Sequence, residues 1–343
     1  LLILFGRLGD ILGYKKIYIN GLIGFVVSSI LCGLSPTIHS LILFRVLQGI
    51  SAAMIMSVSF AIVISVFKAG ERGKALGINA TSIAVGLMLG SSIGGIITAY
   101  LGWRYIFFVN IPLGIFALYW AMRVIPEYKS REGEKLDVLG AISFTLLLTS
   151  FLLFLEGESL TMFFIPILVI LFLYVEKNSE NPIVSIELFS NTTFSFGTTG
   201  TLLTYCSFYI VVFLTPFYLM KVLGLEPDVV GLIMATPAAM MLFIAPLSGT
   251  LSDKIGTRVP TSIGALICMF SFLMMSSLST NSMPEDVVFW LAMCGVGNSI
   301  FQTPNNSAVM GSVPKTHLGV ASGTLSTMRN VGMLLGIALA GFI

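Results

Sequence analysis

The sequence predicts an all-α fold, a polytopic membrane protein, and three observations carry that prediction. Of its 343 residues 56% are hydrophobic and only 10% are charged, against roughly 25% charged in soluble domains, so the chain lacks the polar surface that a water-facing globule needs. Mean hydropathy is +0.98. The apolar residues fall in long continuous runs, which suit bilayer helices of about 20 residues and not the short alternating segments of a membrane barrel. The same composition excludes disorder and coiled coil, and a net charge of only +2 gives no basis for nucleic-acid binding.

Taken in order, the runs cover 17–35, 41–67, 75–99, 104–124, 138–155, 161–175, 196–219, 229–250, 259–278 and 286–309. A short apolar stub, 1–5, precedes them and an eleventh run, 318–343, follows. Starting on Leu1 inside the stub and stopping at Ile343 inside the last run, the chain reads as a fragment cut within membrane helices. Cys32, Cys206, Cys268 and Cys294 lie far apart inside runs and read as small hydrophobes.

Basic residues set the orientation. Loops taken alternately place Arg7, Lys15, Lys16, Lys68, Arg72, Lys74, Arg123, Lys129, Arg131, Lys135, Lys177, Lys254, Arg258 and Lys315 on one side, and Arg104 and Lys221 on the other. The first side is therefore cytoplasmic. Arg45 and Arg329 remain, both within runs.

The longest polar connections, 125–137 and 176–195, bracket an apolar helix pair at 138–175. The chain thus divides into an N-terminal bundle, 1–124, a linker carrying two extra transmembrane helices, 125–195, and a C-terminal bundle, 196–343. An internal repeat supports the two bundles. Gly6, Leu8, Asp10 and Gly13 recur as Gly249, Leu251, Asp253 and Gly256, each set followed by a basic residue, Lys15 or Arg258. Parallel repeats on one membrane side are a transporter architecture.

At these residues the chain resembles the major facilitator superfamily. Gly6 to Lys16 is similar to the family's signature loop between its second and third helices, and Leu43 to Gly49, with Arg45, to the fourth-helix signature. Gly86 to Gly95 resembles the fifth-helix signature of the drug:proton antiporters, with Ser91 where they usually carry proline. Trp103 to Gly114 resembles the sixth-helix opening of the fourteen-helix branch, which inserts a helix pair between its halves. The resemblance implies two pseudo-symmetric bundles and a fragment lacking the first and last helices.

It also implies roles. Gly6, Asp10, Gly13 and Lys15, with Asp253 and Arg258, would form a conformational gate, Asp10 pairing with Arg7 or Lys15 or accepting from a helix N-terminus; the alternative is a solvated turn with topogenic lysines. Arg45, with Gln48 on a neighbouring face, is the candidate for proton coupling, because an intramembrane arginine is costly; the alternative is snorkelling to the outer interface. Gly86, Gly90 and Gly94 fall on one helix face and, with Gly95, suit close helix packing, whether static or sliding. Gly332 and Gly336 repeat the spacing near Arg329. Asn298, Gln302 and Asn305 share a face near Pro304 and either line a cavity or bond between helices.

No Asp or Glu lies in the middle of a complete run; Glu156 and Glu158 sit at an outer helix end. No GxxxxGK[ST] loop supports ATP-driven transport. His39 and His317, both in loops, give no metal centre, and neither cofactor nor enzymatic activity is expected. The reading is a multi-pass plasma-membrane monomer exporting amphipathic or cationic drugs by proton antiport with alternating access, its partners a small-molecule substrate, protons and the lipid bilayer. The alternatives are an exporter or facilitator of one endogenous metabolite and a transport-dead receptor or scaffold.

Overall fold

The computed structural model describes residues 1–127, 137–155, 157, 161–179 and 186–342; Lys129, Arg131, Lys135, Glu156 and Glu158 lie outside the described residues. These form α1 (Leu2–Leu12), α2 (Tyr14–Gly33), α3 (Ile38–Val66), α4 (Arg72–Tyr100), α5 (Tyr105–Phe108), α6 (Asn110–Val124), α7 (Val138–Leu155) and α8 (Thr161–Asn178). There follow α9 (Ile186–Ser190), α10 (Thr192–Lys221), α11 (Pro227–Met234), α12 (Thr236–Ile255), α13 (Arg258–Met275), α14 (Pro284–Gly311) and α15 (Leu318–Gly341), with no strand among the described residues.

Each apolar run has become helix, with two corrections. The segment Gly6 to Lys16, expected as a loop, is helical on both sides of Gly13, whose φ of +95° makes the turn. Gly256 does the same between α12 and α13, with φ +86°; a side chain resists this left-handed backbone, and glycine does not. The runs 104–124 and 229–250, expected as single helices, are each divided, at Val109 and at Ala235. Pro237 stands in the first turn of α12, where its missing N–H costs nothing. Pro304, by contrast, is carried inside an unbroken α14.

By length and composition six described stretches suit a membrane crossing: Tyr14–Gly33, Ile38–Val66, Tyr105–Val124, Thr192–Lys221, Pro227–Ile255 and Arg258–Met275. Large apolar side chains stand fully outward, Phe163 at 74%, Phe196 at 77% and Leu232 at 76% exposure. Lipid, not water, is the solvent for such faces.

Contacts group the chain into two compact units that are not simply its two halves. The first comprises Leu1–Val66, Ser92–Asn191 and Val313–Thr327; the second comprises Phe67–Ser91, Thr192–Ser312 and Met328–Ile343. In the first, α2 lies on α3, with Gly21 against Met54 and Ile55 and Gly24 against Ser51. Small residues let the backbones approach where hydrophobicity supplies no drive between helices. In the second, α14 is the central strut, packed on α10, α12 and α13. Gly264 and Gly297 let α13 approach it, and Gly295 admits Pro237 of α12. Leu219, Val230, Ile233, Val287 and Leu291 form the apolar cluster beside it.

Candidate functional site

The acid of each repeat ends its helix by accepting from the start of another. In the first unit Asp10 Oδ1 accepts from the Gly319 N–H at 2.7 Å and Oδ2 from the Val320 N–H at 3.0 Å. In the second unit Asp253 Oδ1 and Oδ2 accept from the Gly73 and Lys74 N–H groups, both at 2.9 Å. The first N–H groups of a helix have no internal partner, and its N-terminal partial charge favours an anion. The two contacts are copies of one device. Gly6 abuts Gly319 and Gly249 abuts Gly73, so closely that a Cβ on any of them would strike backbone.

The copies differ in surroundings. Asp10 is 8% exposed and also accepts from the Tyr14 hydroxyl at 2.7 Å, whereas Asp253 is half-buried. Burial pushes the Asp10 carboxyl from 3.8 up to about 6, outweighing the hydrogen bonds from Tyr14, Gly319 and Val320 and the nearby Arg7 charge. Of the partners open to Asp10, the helix N-terminus is bonded through both carboxylate oxygens. Among the described residues no hydrogen bond or ion pair joins Lys15 or Arg258 to either carboxylate.

The sequence reading missed the receiving residues. Gly73, Ala75 and Gly77 recur as Gly319, Ala321 and Gly323, each set just inside a helix preceded by one turn of 3₁₀ helix. This second repeat was available as a signal, and it continues the packing: Gly77 faces Ala245 and Gly323 faces Leu2.

In the first unit Arg45 and Gln48, one turn apart on α3, are joined: Arg45 Nη1 donates to Gln48 Oε1 at 2.8 Å. Gln48, 4% exposed, passes the chain on by donating Nε2–H to Ser29 Oγ of α2 at 2.7 Å. The guanidinium lies 5.6 Å from the Phe107 ring centroid. It faces a cavity of about 320 Å³ whose wall also includes Phe25, Gly49, Ala52 and Asn110. The relay is neutral apart from Arg45, and Ser29 was not foreseen. Such a chain can hold and orient a cation's donors toward the cavity.

The remaining candidates divide. Around Gly86, Gly90, Gly94 and Gly95 an added Cβ meets nothing within 4 Å among the described residues, so the close helix contact expected there is absent from this arrangement; the Ser91 side chain lies outside the described residues. Gly332 and Gly336 do pack, on Leu202 and Cys206 of α10. Asn298, Gln302 and Asn305 line no open space, because α10, α12 and α13 crowd α14 and leave them 6%, 3% and 4% exposed. Asn305 makes the interhelical bond, donating to Gly197 O at 3.0 Å and Thr201 Oγ1 at 2.9 Å. Asn298 Oδ1 and both Gln302 amide atoms are buried without a hydrogen-bond partner among the described residues.

The chain is 32% identical to the riboflavin transporter RibZ of Clostridioides difficile, over 98% of this chain and 75% of that protein. It is 30% identical to the multidrug resistance protein Stp of Mycobacterium tuberculosis, over 98% of this chain but only 64% of the relative's length. The crystal structure of the human organic anion transporter MFSD10 superposes with a TM-score of 0.70 at 16% identity, covering 98% of this chain and 73% of that one, which is likeness of fold. The Major Facilitator Superfamily profile matches residues 1–337. An all-helical membrane chain with duplicated acid-capped helix starts, matched from end to end by that profile, belongs to the Major Facilitator Superfamily.

Proposed function

We propose that this transporter exports amphipathic drugs across the plasma membrane in exchange for protons, as a monomer, by alternating access. The observation that carries the reading is the duplicated contact of Asp10 with the start of α15 and of Asp253 with the start of α4. Each is short and charge-assisted, and each ties two helices through a few atoms, so each can break and re-form as the N-terminal bundle, 1–124, rocks against the C-terminal bundle, 196–343. Lys15 and Arg258, with Gly6 and Gly13, flank these gates. Arg45, held by Gln48, supplies the coupling charge beside an open cavity. The glycines at 86, 90, 94 and 95 are the surface that closes in another stage of the cycle. The relative named as a multidrug resistance protein supports drugs as the cargo.

A second reading, export or facilitated passage of one metabolite, draws support from the relative named as a riboflavin transporter. The deciding experiment reconstitutes the full-length protein in liposomes under an imposed pH gradient and adds ethidium, rhodamine 123, fluorescein or riboflavin. Compound-driven proton release, lost in Arg45→Ala and in the Asp10→Ala, Asp253→Ala pair, supports antiport. Riboflavin flux that moves no protons, with no drug-driven release, replaces it with the second reading.

A further inference from the structure

The one intramembrane charge that this account leaves unused is Arg329. It is the twelfth of the 24 residues of α15, so about 16 Å of helix separates it from the cytoplasmic start. A guanidinium at that depth is expensive and calls for a partner. Among the described residues it makes no hydrogen bond or ion pair, and none can come from a midspan acid. In α2, α3, α4, α10, α13 and α15 there is no Asp or Glu at all, and in α1, α12 and α14 the acids sit in end turns.

The face of α15 that carries Arg329 packs beside two tyrosines of α10. Gly332 and Gly336 lie on the same face of α15 and press it onto α10, an added Cβ at each coming within 3.1 Å of Tyr205 Cβ and Tyr209 Cβ respectively. Those two tyrosines, one turn apart in the middle of α10, have near-parallel rings, 28° between planes with centroids 6.4 Å apart. Arg329 stands one turn before Gly332 and two turns before Gly336 along that face of α15. All three residues belong to the second unit.

We propose that Arg329, Tyr205 and Tyr209 form a binding site for the carboxylate or sulfonate of a planar aromatic anion near the middle of the bilayer. A guanidinium fork matches such an oxyanion with two parallel N–H···O bonds. The tyrosine faces accept a flat ring system. A cationic substrate meets the opposite of what it needs here, a fixed positive charge with no midspan acid among the described helices. The proposal rests on the transporter reading and narrows its amphipathic cargo to anions.

The test compares two dyes with one xanthene skeleton and opposite charge, fluorescein and rhodamine 123, binding to the full-length protein in nanodiscs. The wild type is expected to bind fluorescein more tightly. Arg329→Gln is expected to weaken fluorescein about ten- to a hundredfold, as loss of a charge-assisted pair does, and to leave rhodamine 123 unchanged or tighter. Arg329→Lys should restore part of the loss, and Tyr209→Leu should weaken fluorescein while keeping the charge. Rhodamine 123 preferred by the wild type, or both dyes weakened equally by Arg329→Gln in a protein of unchanged melting temperature, overturns the site. If Arg329→Gln does not fold, Arg329→Lys and Tyr209→Leu decide on the same criterion. Proton release measured in liposomes separates the two readings. Proton exchange driven by rhodamine 123 without Arg329-dependent fluorescein binding leaves antiport standing and sinks the anion site. Arg329-dependent fluorescein binding without proton release does the reverse.

Discussion

Asp10 is placed so that pH should loosen its contact in a definite direction. Its carboxyl is 8% exposed, and burial lifts it from 3.8 to about 6 despite the bonds from Tyr14, Gly319 and Val320. Once α1 and the start of α15 part and water reaches the carboxyl, it titrates near its ordinary 3.8. Between those two values the packed contact holds more protons than the parted one. Linkage then makes parting easier as pH rises through that window and indifferent to pH above it. At 1.36 kcal/mol for each unit of pKa the full swing is about 3 kcal/mol, or about a hundredfold in the parting equilibrium. The assay is amide hydrogen exchange of Gly319 and Val320 in the full-length protein in nanodiscs, corrected for the intrinsic pH dependence of exchange. Protection should fall between pH 4.5 and pH 6.5 and then level off. Asp10→Asn, which cannot ionise, should flatten the profile. Protection that rises with pH across the same window would refute the reasoning, because the helix N-terminus and hydrogen bonds would then outweigh burial.

Four further outcomes follow from the packing and the hydrogen bonds. Gly73→Ala and Gly319→Ala push a Cβ into the backbone of Gly249 and Gly6 and should each cost about 1–3 kcal/mol of stability, read as a lower melting temperature in nanodiscs. Gly86→Ala and Gly90→Ala meet open space and should be neutral or stabilising by up to about 1 kcal/mol; transport lost at unchanged melting temperature would mark the stripe as a contact made elsewhere in the cycle. Gln302→Leu removes a buried amide with no partner among the described residues and should stabilise by about 1–3 kcal/mol, while Asn305→Leu removes two interhelical hydrogen bonds, to Gly197 O and Thr201 Oγ1, and should destabilise by a similar amount. Gln48→Leu breaks the link from Arg45 to Ser29, so thermal unfolding should show a loss of about 1–3 kcal/mol and the pH profile of flux should move.

The helices were legible because bilayer thickness writes itself into the sequence as run length, and each run from 17–35 to 318–343 has a helix on it. Gly6, Asp10, Gly249 and Asp253 were legible as a repeat because glycine and a lone acid stand out in an apolar chain. Their partners were not, since a backbone N–H has no letter in the sequence; only the helix that carries Gly73 or Gly319 can show where its unpaired donors lie. Asn305 and Gln302 look alike in sequence, yet one is bonded and the other is not, because Thr201 and Gly197 reach only the first. The breaks at Val109 and Ala235 were lost inside hydrophobic runs, where an unbroken apolar stretch conceals a single-residue interruption of the helix.

The duplicated contact also explains why the compact units interleave the sequence. Asp10 lies 309 residues from Gly319, and Asp253 lies 180 residues from Gly73, so each unit draws a helix start from the far half of the chain. A half severed at the 125–195 linker would keep its acid and lose the donors that acid accepts from. Each orphaned helix start would forgo about 1–2 kcal/mol of capping as well as the glycine contact beside it. Coexpressed halves that assemble should therefore regain, together, the exchange protection at Gly319, Val320, Gly73 and Lys74 that neither half has alone. Protection of Gly73 in the isolated N-terminal half would mean that the helix start is held by its own neighbours, and the exchange of helix starts would then be a consequence of folding and not one of its causes.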